Sequence, residues 1–250
     1  MTGRTSVTRA VEPPLGIVRL TDTRGGNRID DPLWRTFDTA LRSVVSEPEV
    51  RVVLVEGLPG MFCSGLAPEP LRDARHRVPG GLGQFAEVLV RCPLPVVVAA
   101  QGHALGGGLL FALGADAVVL SRTSSYAANF MSLGFTPCMG ATYLLPHVLG
   151  AALGQEMLFT GRPYRGAELA VRGAGVDVTS APQVPAQARR TALRIARAPR
   201  RSLELLKGRF AQERLAGLAR AMEAEVAAHD ETRATALSSS RGRDAEAVPR

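Results

Sequence analysis

The 250-residue chain is poor in lysine, aromatic residues, cysteine and long apolar runs. Of its 30 basic residues, Lys207 is the single lysine and the rest are arginine. A reaction that needs a lysine amine therefore has one residue to use. Aromatic residues make up 5% of the chain, and they are not interleaved with the arginines. The net charge of +7 therefore does not indicate a base-stacking surface for nucleic acid.

The three cysteines, Cys63, Cys92 and Cys138, are an odd number without paired spacing. This favours a reducing compartment over a disulfide framework or a zinc ribbon. The most apolar stretch, residues 95–113, is interrupted by polar residues and four glycines, so it is too broken to span a membrane. The first 14 residues lack the apolar core of a signal peptide. We expect a cytoplasmic protein without a metal site, since the four histidines share no short spacing with a carboxylate or thiol.

Apolar periodicity predicts an α/β fold, because short buried strands alternate with amphipathic helices as far as residue 120 and helices dominate after residue 150. We expect flexible tails at residues 1–13 and 233–250, an α/β core over 14–200 and a helical C-terminal region over 201–232. The predicted strands cover residues 17–20, 52–55, 96–100 and 117–120, and the predicted helices cover 33–45, 85–90, 109–115, 151–159, 166–172, 185–197 and 202–232.

Two corners between a strand and the following segment are candidates for chemistry. In one, Gly106, Gly107 and Gly108 stand between a buried strand and a helix, where a ligand can approach the backbone closely. The other corner covers residues 60–69. Two such corners can offer two backbone N–H donors to one carbonyl oxygen, as an oxyanion hole does. The structural alternative for the glycines is a tight turn packed against a neighbour.

A set of four motifs resembles the crotonase (enoyl-CoA hydratase/isomerase) superfamily, and the similarity runs from about Gly16 to Thr232. The resemblance implies an α/β spiral of ββα repeats with a C-terminal helical trimerisation region, in a homotrimer or a dimer of trimers. It implies a thioester substrate, no bound cofactor, and a thioester carbonyl held by the N–H groups of Leu66 and Gly107. The motifs are Phe62-x-x-Gly65-Leu66, Gly102-x-x-x-Gly106-Gly107-Gly108, Asp116 and Gly134-x-x-Pro137-x-x-Gly140-Ala141-Thr142.

Hydratases of this superfamily carry one glutamate on the helix after the glycines and another ahead of the Gly-x-x-Pro motif. Leu110 and Phe130 occupy those positions here, and neither can move a proton. Simple hydration is therefore disfavoured, although Glu69 is a nearby acid. Asn129 and Tyr126 could bind a substrate carboxylate or only fix their loop. The expected pocket residues are Leu110, Phe130, Asn129, Gly106 and Gly108.

Residues 126–142 and three later segments are similar to one branch of the superfamily, the decarboxylases of polyketide β-branching cassettes. Those enzymes convert a 3-methylglutaconyl thioester on an acyl carrier protein (ACP) into a 3-methylcrotonyl thioester. The resemblance implies loss of carbon dioxide to a dienolate held by the oxyanion hole, with a histidine at the position of His229 serving the site. The three segments are Tyr164-Arg-Gly-x-Glu-Leu-Ala, Pro199-Arg-x-Ser-Leu-x-x-Leu-Lys207 and Glu225-x-x-x-His229-x-x-Thr232.

The chain departs from this branch after the first corner, where Pro70 and Ala74 replace a tyrosine and a lysine. Arg75 could hold the leaving carboxylate, but it cannot give up a proton. His76 could protonate carbon, because a histidine titrates near neutral pH. A solvated loop is the alternative interpretation of this stretch. We favour His229 as the proton donor, since a helix fixes its position better than a loop fixes His76.

Three functions are open to this sequence. The first is a lyase acting on an ACP-bound or CoA-bound acyl thioester, the second an isomerase that uses the same dienolate, and the third a non-catalytic scaffold in a synthase complex. We expect no nucleic-acid or membrane partner, and the scattered arginines suit either anionic carrier. His103, beside the glycines, could face the pocket or pack in a loop, and we expect His147 to be structural.

Overall fold

The computed structural model describes residues 6–66 and 83–246, with side chains as far as residue 232. These ranges contain two β-sheets and eight α-helices. The strands are β1 (Val7–Glu12), β2 (Leu15–Leu20), β3 (Val52–Glu56), β4 (Met61–Cys63), β5 (Val96–Ala100), β6 (His103–Leu105), β7 (Ala117–Ser121), β8 (Ser125–Ala127), β9 (Tyr164–Arg165) and β10 (Asp177–Thr179). The helices are α1 (Asp31–Ser46), α2 (Gly83–Arg91), α3 (Gly107–Leu113), α4 (Ala141–Leu149), α5 (Ala151–Thr160), α6 (Gly166–Val171), α7 (Val184–Ile195) and α8 (Arg200–Glu246).

The larger sheet has the strand order β1-β2-β3-β5-β7-β10, and the smaller sheet has the order β4-β6-β8-β9. Each of β3, β5 and β7 is followed by a short strand of the smaller sheet, and a helix follows the first two of these pairs. This succession is the predicted spiral of ββα repeats. Because β4 and β6 are parallel neighbours, the segments that leave their carboxyl ends emerge side by side.

The central strands of the larger sheet are buried on both faces, as strand β3 illustrates. Val52 and Leu54 face the apolar side chains of α7, whereas Val53 and Val55 face the cluster formed with α1, α2 and α3. All four side chains are fully buried. A parallel sheet covered on both faces needs continuous runs of apolar residues, and these runs carried the strand predictions.

Three basic side chains fasten α8 to the core. Arg200 donates to three carbonyl oxygens at and just after the end of α1, at 2.6 to 2.9 Å. Lys207 donates to the Leu89 carbonyl near the end of α2 and, at 2.6 and 2.8 Å, to the Asp116 carboxylate. Arg214 donates to two carbonyls at and after the end of α3, at 3.0 and 3.1 Å. The last carbonyls of a helix lack partners within it and favour cations, so α8 satisfies the ends of three successive helices.

Two predicted boundaries were wrong. Residues 7–12, expected within a flexible tail, form β1, which pairs antiparallel with β2 from Val7 opposite Leu20 to Glu12 opposite Leu15. Its charged residues are typical of an edge strand, whereas the prediction of a tail rests on the absence of apolar periodicity. The C-terminal helix does not end at residue 232 but continues to Glu246, through residues without a proline.

Two features are absent from the described ranges. No helix in them is long and apolar enough to cross a membrane. They also contain no group of three or more histidine, cysteine, aspartate or glutamate side chains placed to hold a metal ion.

Candidate active site

Asn27 holds the first corner in place. Its side-chain amide donates to the carbonyls of Phe62 at 2.9 Å and Met61 at 3.2 Å, and its Oδ1 accepts the N–H of Asp22 at 2.8 Å. Asn27 is fully buried and has a φ of 55°, in the left-handed region that asparagine tolerates better than most residues. These bonds tie the end of β4 to the segment that follows β2.

The two corners are in direct contact, and this contact requires glycine. A Cβ on Gly65 would lie 2.6 Å from the Leu105 carbonyl oxygen and 3.6 Å from the backbone nitrogen of Gly107. A Cβ on Gly108 would lie 2.4 Å from the Cys63 carbonyl oxygen. Gly65 also has a φ of 88°. A larger residue at position 65 or 108 would therefore push the corners apart.

The backbone N–H groups of Leu66 and Gly107 have no acceptor among the described residues. Gly107 begins α3, and an N–H in the first turn of a helix has no partner within it. The preceding Gly106, with a φ of 50°, offers no side chain to cap it. Two free N–H groups on touching corners are the arrangement that an oxyanion hole needs.

Residues 129–142, which we call the bridging segment, touch the second corner at two points. The Asn129 Oδ1 lies 3.0 Å from the place of a Cβ on Gly106, and the Asn129 side chain makes no hydrogen bond within the described residues. The Met139 sulfur and methyl group lie 3.4 Å from the place of a Cβ on Gly107. The bridging segment thus supplies one polar and one apolar side chain beside the free N–H groups.

His229 on α8 packs on the same segment. Its Nδ1 lies 2.7 Å from the Thr136 carbonyl oxygen, which can only accept, so Nδ1 carries the proton of this bond. The Nε2 atom is buried and has no hydrogen-bond partner in the described part of the chain. The ring meets Phe135 edge-to-face at 5.3 Å, and Phe135 meets Phe130 at 6.3 Å. The imidazole is therefore held with one nitrogen free.

The two positions where hydratases carry glutamate are apolar and buried. Leu110 is fully buried within the core cluster, and Phe130 is 4% exposed. Tyr126, for which two roles were open, fixes its loop: its hydroxyl donates to the Ala100 carbonyl and accepts the Ser121 N–H, both at 2.7 Å. Of the two candidates for binding a substrate carboxylate, Asn129 and Tyr126, only Asn129 has a side chain without a hydrogen bond to the described residues.

Several predicted residues lie outside the described ranges: Glu69, Pro70, Ala74, Arg75 and His76. The roles predicted for Arg75 and His76 stay predictions. Lys207 is 3% exposed and engaged by Asp116, and burial lowers the pKa of its amine while Asp116 opposes that shift. The single lysine thus belongs to the attachment of α8.

His103, His147 and Cys63 have structural roles. The His103 Nδ1 accepts the Ser125 N–H at 2.8 Å, which corresponds to the packed-loop alternative. His147 stacks on Tyr143 with 4.9 Å between ring centroids. Burial raises the pKa of the Cys63 thiol to about 12, so this thiol stays protonated and inert as a nucleophile.

A cavity of about 740 Å³ lies away from the glycine corners, between α1 and α2. Trp34, Leu41 and Val88 contribute to its walls, and Met222 of α8 reaches it. Of the predicted site residues that the structure describes, none lines it. The candidate site is therefore defined by the touching corners and the bridging segment rather than by this cavity.

Asn27, Met139 and Glu225 were not predicted as parts of the site. Asn27 and Met139 both have positive φ angles, for which an asparagine or methionine in a sequence gives no reliable signal. Glu225 did have a signal, because it stands four residues before His229 and thus on the same face of a helix.

The two-sheet spiral of ββα repeats defines a crotonase-fold protein. The family model Enoyl-CoA hydratase/isomerase matches residues 13–246, and the chain belongs to this family. The bacillaene synthase decarboxylase PksI of Bacillus subtilis is 35% identical over 227 residues, which are 89% of this chain and 90% of PksI.

Two solved structures are also similar. One, titled as a dehydratase/decarboxylase enzyme couple involved in polyketide β-branching, has a TM-score of 0.87 and 33% identity, and the match covers 93% of this chain and 96% of that one. The ECH2 decarboxylase domain of CurF from Lyngbya majuscula has a TM-score of 0.84 and 29% identity, over 95% of this chain and all of the domain.

Proposed function

We propose that the protein is a crotonase-fold decarboxylase of polyketide biosynthesis that acts on a 3-alkylglutaconyl-type acyl thioester carried by ACP or CoA. Three similar proteins match nearly the full chain: a decarboxylase, a decarboxylase domain and a member of a dehydratase/decarboxylase enzyme couple. The absence of both hydratase glutamates supports the same conclusion, because Leu110 and Phe130 cannot activate water.

The observation that carries the proposal is the state of His229. Its Nδ1–H is committed to the Thr136 carbonyl, while Nε2 is buried and free. A protonated ring can release the proton from Nε2 and keep the bond from Nδ1. The ring that remains is the neutral tautomer that the Thr136 carbonyl already stabilises. His229 is therefore suited to deliver one proton from Nε2.

The proposed reaction has two steps. First, the bond between the carboxylate and the acyl chain breaks, carbon dioxide leaves, and the electron pair passes into a dienolate whose oxygen accepts from the N–H groups of Leu66 and Gly107. Second, the His229 Nε2–H transfers its proton to carbon and the thioester carbonyl re-forms. Buried apolar groups such as Phe130 and Phe135 limit access of water to the dienolate.

Turnover of matched thioesters tests the proposal. We expect a 3-methylglutaconyl thioester, on ACP or CoA, to lose carbon dioxide. Mass spectrometry of the intact acyl carrier detects this as a loss of about 44 Da, and the rate should lie within the enzymatic range of about 1 to 10³ per second. We expect no hydration of a crotonyl thioester. Hydration at ~10 per second would contradict the assignment of Leu110 and Phe130. Migration of the double bond without loss of carbon dioxide would instead identify an isomerase.

Gly107 provides a variant pair for the oxyanion corner. A Cβ at this position would meet Met139 and Ile29 at 3.4 to 3.6 Å, which is ordinary contact, so Gly107→Ala should fold and keep the N–H. Gly107→Pro removes the N–H at the first helical position, where proline is well accepted. We expect a further loss of about 100-fold or more for the folded proline variant relative to alanine. Equal rates would mean that the carbonyl is held elsewhere.

The proposal includes assembly of copies of the chain into a trimer. Leu205, Leu206 and Phe210 on α8 are each more than half exposed in the single chain, as is Phe159 on α5. Exposed apolar side chains of this size are suited to contacts between subunits. Light scattering on the purified protein should give three or six times the mass of the chain.

A further inference from the structure

The buried carboxylate of Glu225 accepts three hydrogen bonds from the bridging segment. Its Oε2 accepts the Gly140 N–H at 2.7 Å, and its Oε1 accepts the Thr142 N–H at 2.8 Å and the Thr142 hydroxyl at 2.6 Å. Glu225 is 7% exposed. Hydrogen bonds to a buried carboxylate are strong, so these three bonds fix the positions of both Glu225 and its donors, Gly140 and Thr142.

These bonds replace the cap that α4 does not have. Gly140 is the N-cap of α4 and provides no side chain, so the first N–H groups of the helix need an acceptor from elsewhere. Glu225 supplies it from α8. The start of α4 is therefore placed by a residue that is remote in sequence.

Met139 immediately precedes the capped position and is strained. Its φ of 64° is in the left-handed region, which an unbranched residue other than glycine adopts only where its surroundings require it. In this conformation, the Met139 sulfur and methyl group lie 3.4 Å from the place that a Cβ on Gly107 would occupy. The bond from the next residue, Gly140, to Glu225 holds the backbone on the C-terminal side of the strained residue.

His229 and Thr232 act on the other part of the same segment. The Thr136 N–H donates to the Thr232 hydroxyl at 2.9 Å, and the Thr136 carbonyl accepts from His229. Glu225, His229 and Thr232 have the spacing of one helix face. This face of α8 therefore binds the bridging segment at both Thr136 and Gly140, on either side of the loop that leads to Met139.

We propose that Glu225 is a positioning residue: by holding Gly140, it sets the place of Met139 against Gly107, whose N–H is one donor of the oxyanion hole. The inference rests on one part of the proposed function, which is that the Gly107 N–H binds the thioester carbonyl. Loosening Met139 leaves Ile29 as the remaining side chain of the two that lie beside Gly107. Donors aimed at a developing charge lose effect when their position is no longer fixed.

Glu225→Gln is the central variant, because the amide has similar size but one acceptor atom instead of two. Glu223→Gln, an exposed glutamate on the same helix, is the matched control. We expect kcat for Glu225→Gln to fall by about 10- to 100-fold while KM changes by less than about threefold, as for a misplacement of about 1 Å. A purely structural role would lower the melting temperature and leave kcat of the folded protein unchanged.

Met139→Gly tests the route, because glycine is relaxed at this φ and carries no side chain to place. If Glu225 acts through Met139, the two variants should be strongly non-additive in kcat, so that Glu225→Gln has little further effect in the Met139→Gly background. If Glu225→Gln lowers kcat in the Met139→Gly background by the same factor as in the wild type, Glu225 does not act through Met139.

A spectroscopic readout separates this inference from the proposed reaction. A crotonyl-CoA probe labelled with ¹³C at the thioester carbonyl should show a lower C=O stretching frequency when bound, because two N–H donors polarise the bond. We expect a smaller shift in Glu225→Gln and an unchanged shift in Glu223→Gln. If the C=O frequency shifts as expected in the three proteins but the wild type does not decarboxylate, the proposed reaction fails and the positioning role of Glu225 stands. No shift in the wild type, or equal shifts in all three proteins, overturns the positioning role.

Discussion

The first and the later part of helix α8 are both bound to the core, but in opposite chemical senses. Between Arg200 and Arg214 the helix presents cations, which donate to carbonyls at the ends of three helices. Between Glu225 and Thr232 it mainly presents acceptors, which bind the N–H groups of the bridging segment. The first part thus stabilises the position of the helix, and the later part uses that position to order the candidate site.

An unpartnered atom does not by itself distinguish these two parts. The buried Nε of Arg214 and the Nε2 of His229 both have no hydrogen-bond partner in the described part of the chain. The difference is that arginine remains charged at any working pH, whereas histidine exchanges a proton near neutrality. The comparison therefore teaches that a buried side-chain nitrogen without a partner can serve as a proton donor only where the group gains and loses a proton.

We expect the largest effect from Lys207→Met, which should affect stability. The variant removes the donor to the Leu89 carbonyl and leaves the Asp116 carboxylate short of its main cation. Breaking a buried ion pair in this way costs about 3–5 kcal/mol, and we expect the lower end because the Asp116 side chain is 20% exposed. Denaturant unfolding measures the loss.

The control for Lys207 is Arg209→Met, which removes an exposed pair with Glu213 on the same helix. Such a pair contributes about 0.5 kcal/mol or less. The rate per folded molecule should remain near the wild-type value in both variants. A selective loss of rate in folded Lys207→Met would place the first part of α8 in the catalytic machinery and break the comparison.

The next effect is on catalysis. His229→Ala should lower the rate of product formation on the order of 10²- to 10³-fold, which is the typical contribution of a positioned acid or base. Binding of the thioester should change less than the rate, because Glu225 still holds Gly140 beside Met139 in this variant. Single-turnover mass spectrometry on an acyl-ACP measures both.

His147→Ala is the control for His229, since His147 stacks on Tyr143 instead of the bridging segment. It should keep the wild-type rate. If His229→Ala still turns over at the wild-type rate while His76→Ala is inactive, the proton donor lies in the stretch after the first corner and the later part of α8 is only structural.

The smallest effect concerns a charge remote from both parts of α8. Arg172, and then Tyr164, donate to Glu156 and hold the pKa of its carboxyl at about 2, below the usual 4.5. A lowered pKa in the folded state contributes stability above pH 4.5 that is lost as the pH falls towards 2. Glu156→Gln should therefore be slightly less stable than the wild type at pH 7 and equal to it near pH 2. Melting curves across this range test the sign, and a constant difference would contradict it.

Strands β2, β3, β5 and β7 were predictable because parallel, buried strands need uninterrupted apolar runs such as residues 52–55 and 96–100. The short strands β4, β6, β8 and β9 were not, since segments of two or three residues are defined by pairing with distant partners. Helix α4 was also missed. It contains Pro146 and is preceded by the N-cap Gly140, and both residues argue against a helix in sequence alone.

The candidate site divides in the same way. The glycine corners and His229 have residue types whose chemistry is visible in the sequence, and the structure brings the corners into contact. The tautomer of His229 depends on the Thr136 carbonyl, and a backbone carbonyl has no sequence signature. The cap that Glu225 places on α4 depends on how a helix from the end of the chain crosses the core, which periodicity does not specify.

The engagement of Lys207 has a practical consequence for handling the protein. Every other basic side chain is a guanidinium, and the one side-chain amine is 3% exposed and bound by a carboxylate and a carbonyl. Amine-directed reagents such as N-hydroxysuccinimide esters need an exposed, uncharged amine, so they should leave the folded chain unmodified at lysine. A dye or surface tether introduced by that chemistry would attach at the α-amino group, and a single engineered lysine would provide one defined attachment point for coupling the enzyme to a carrier.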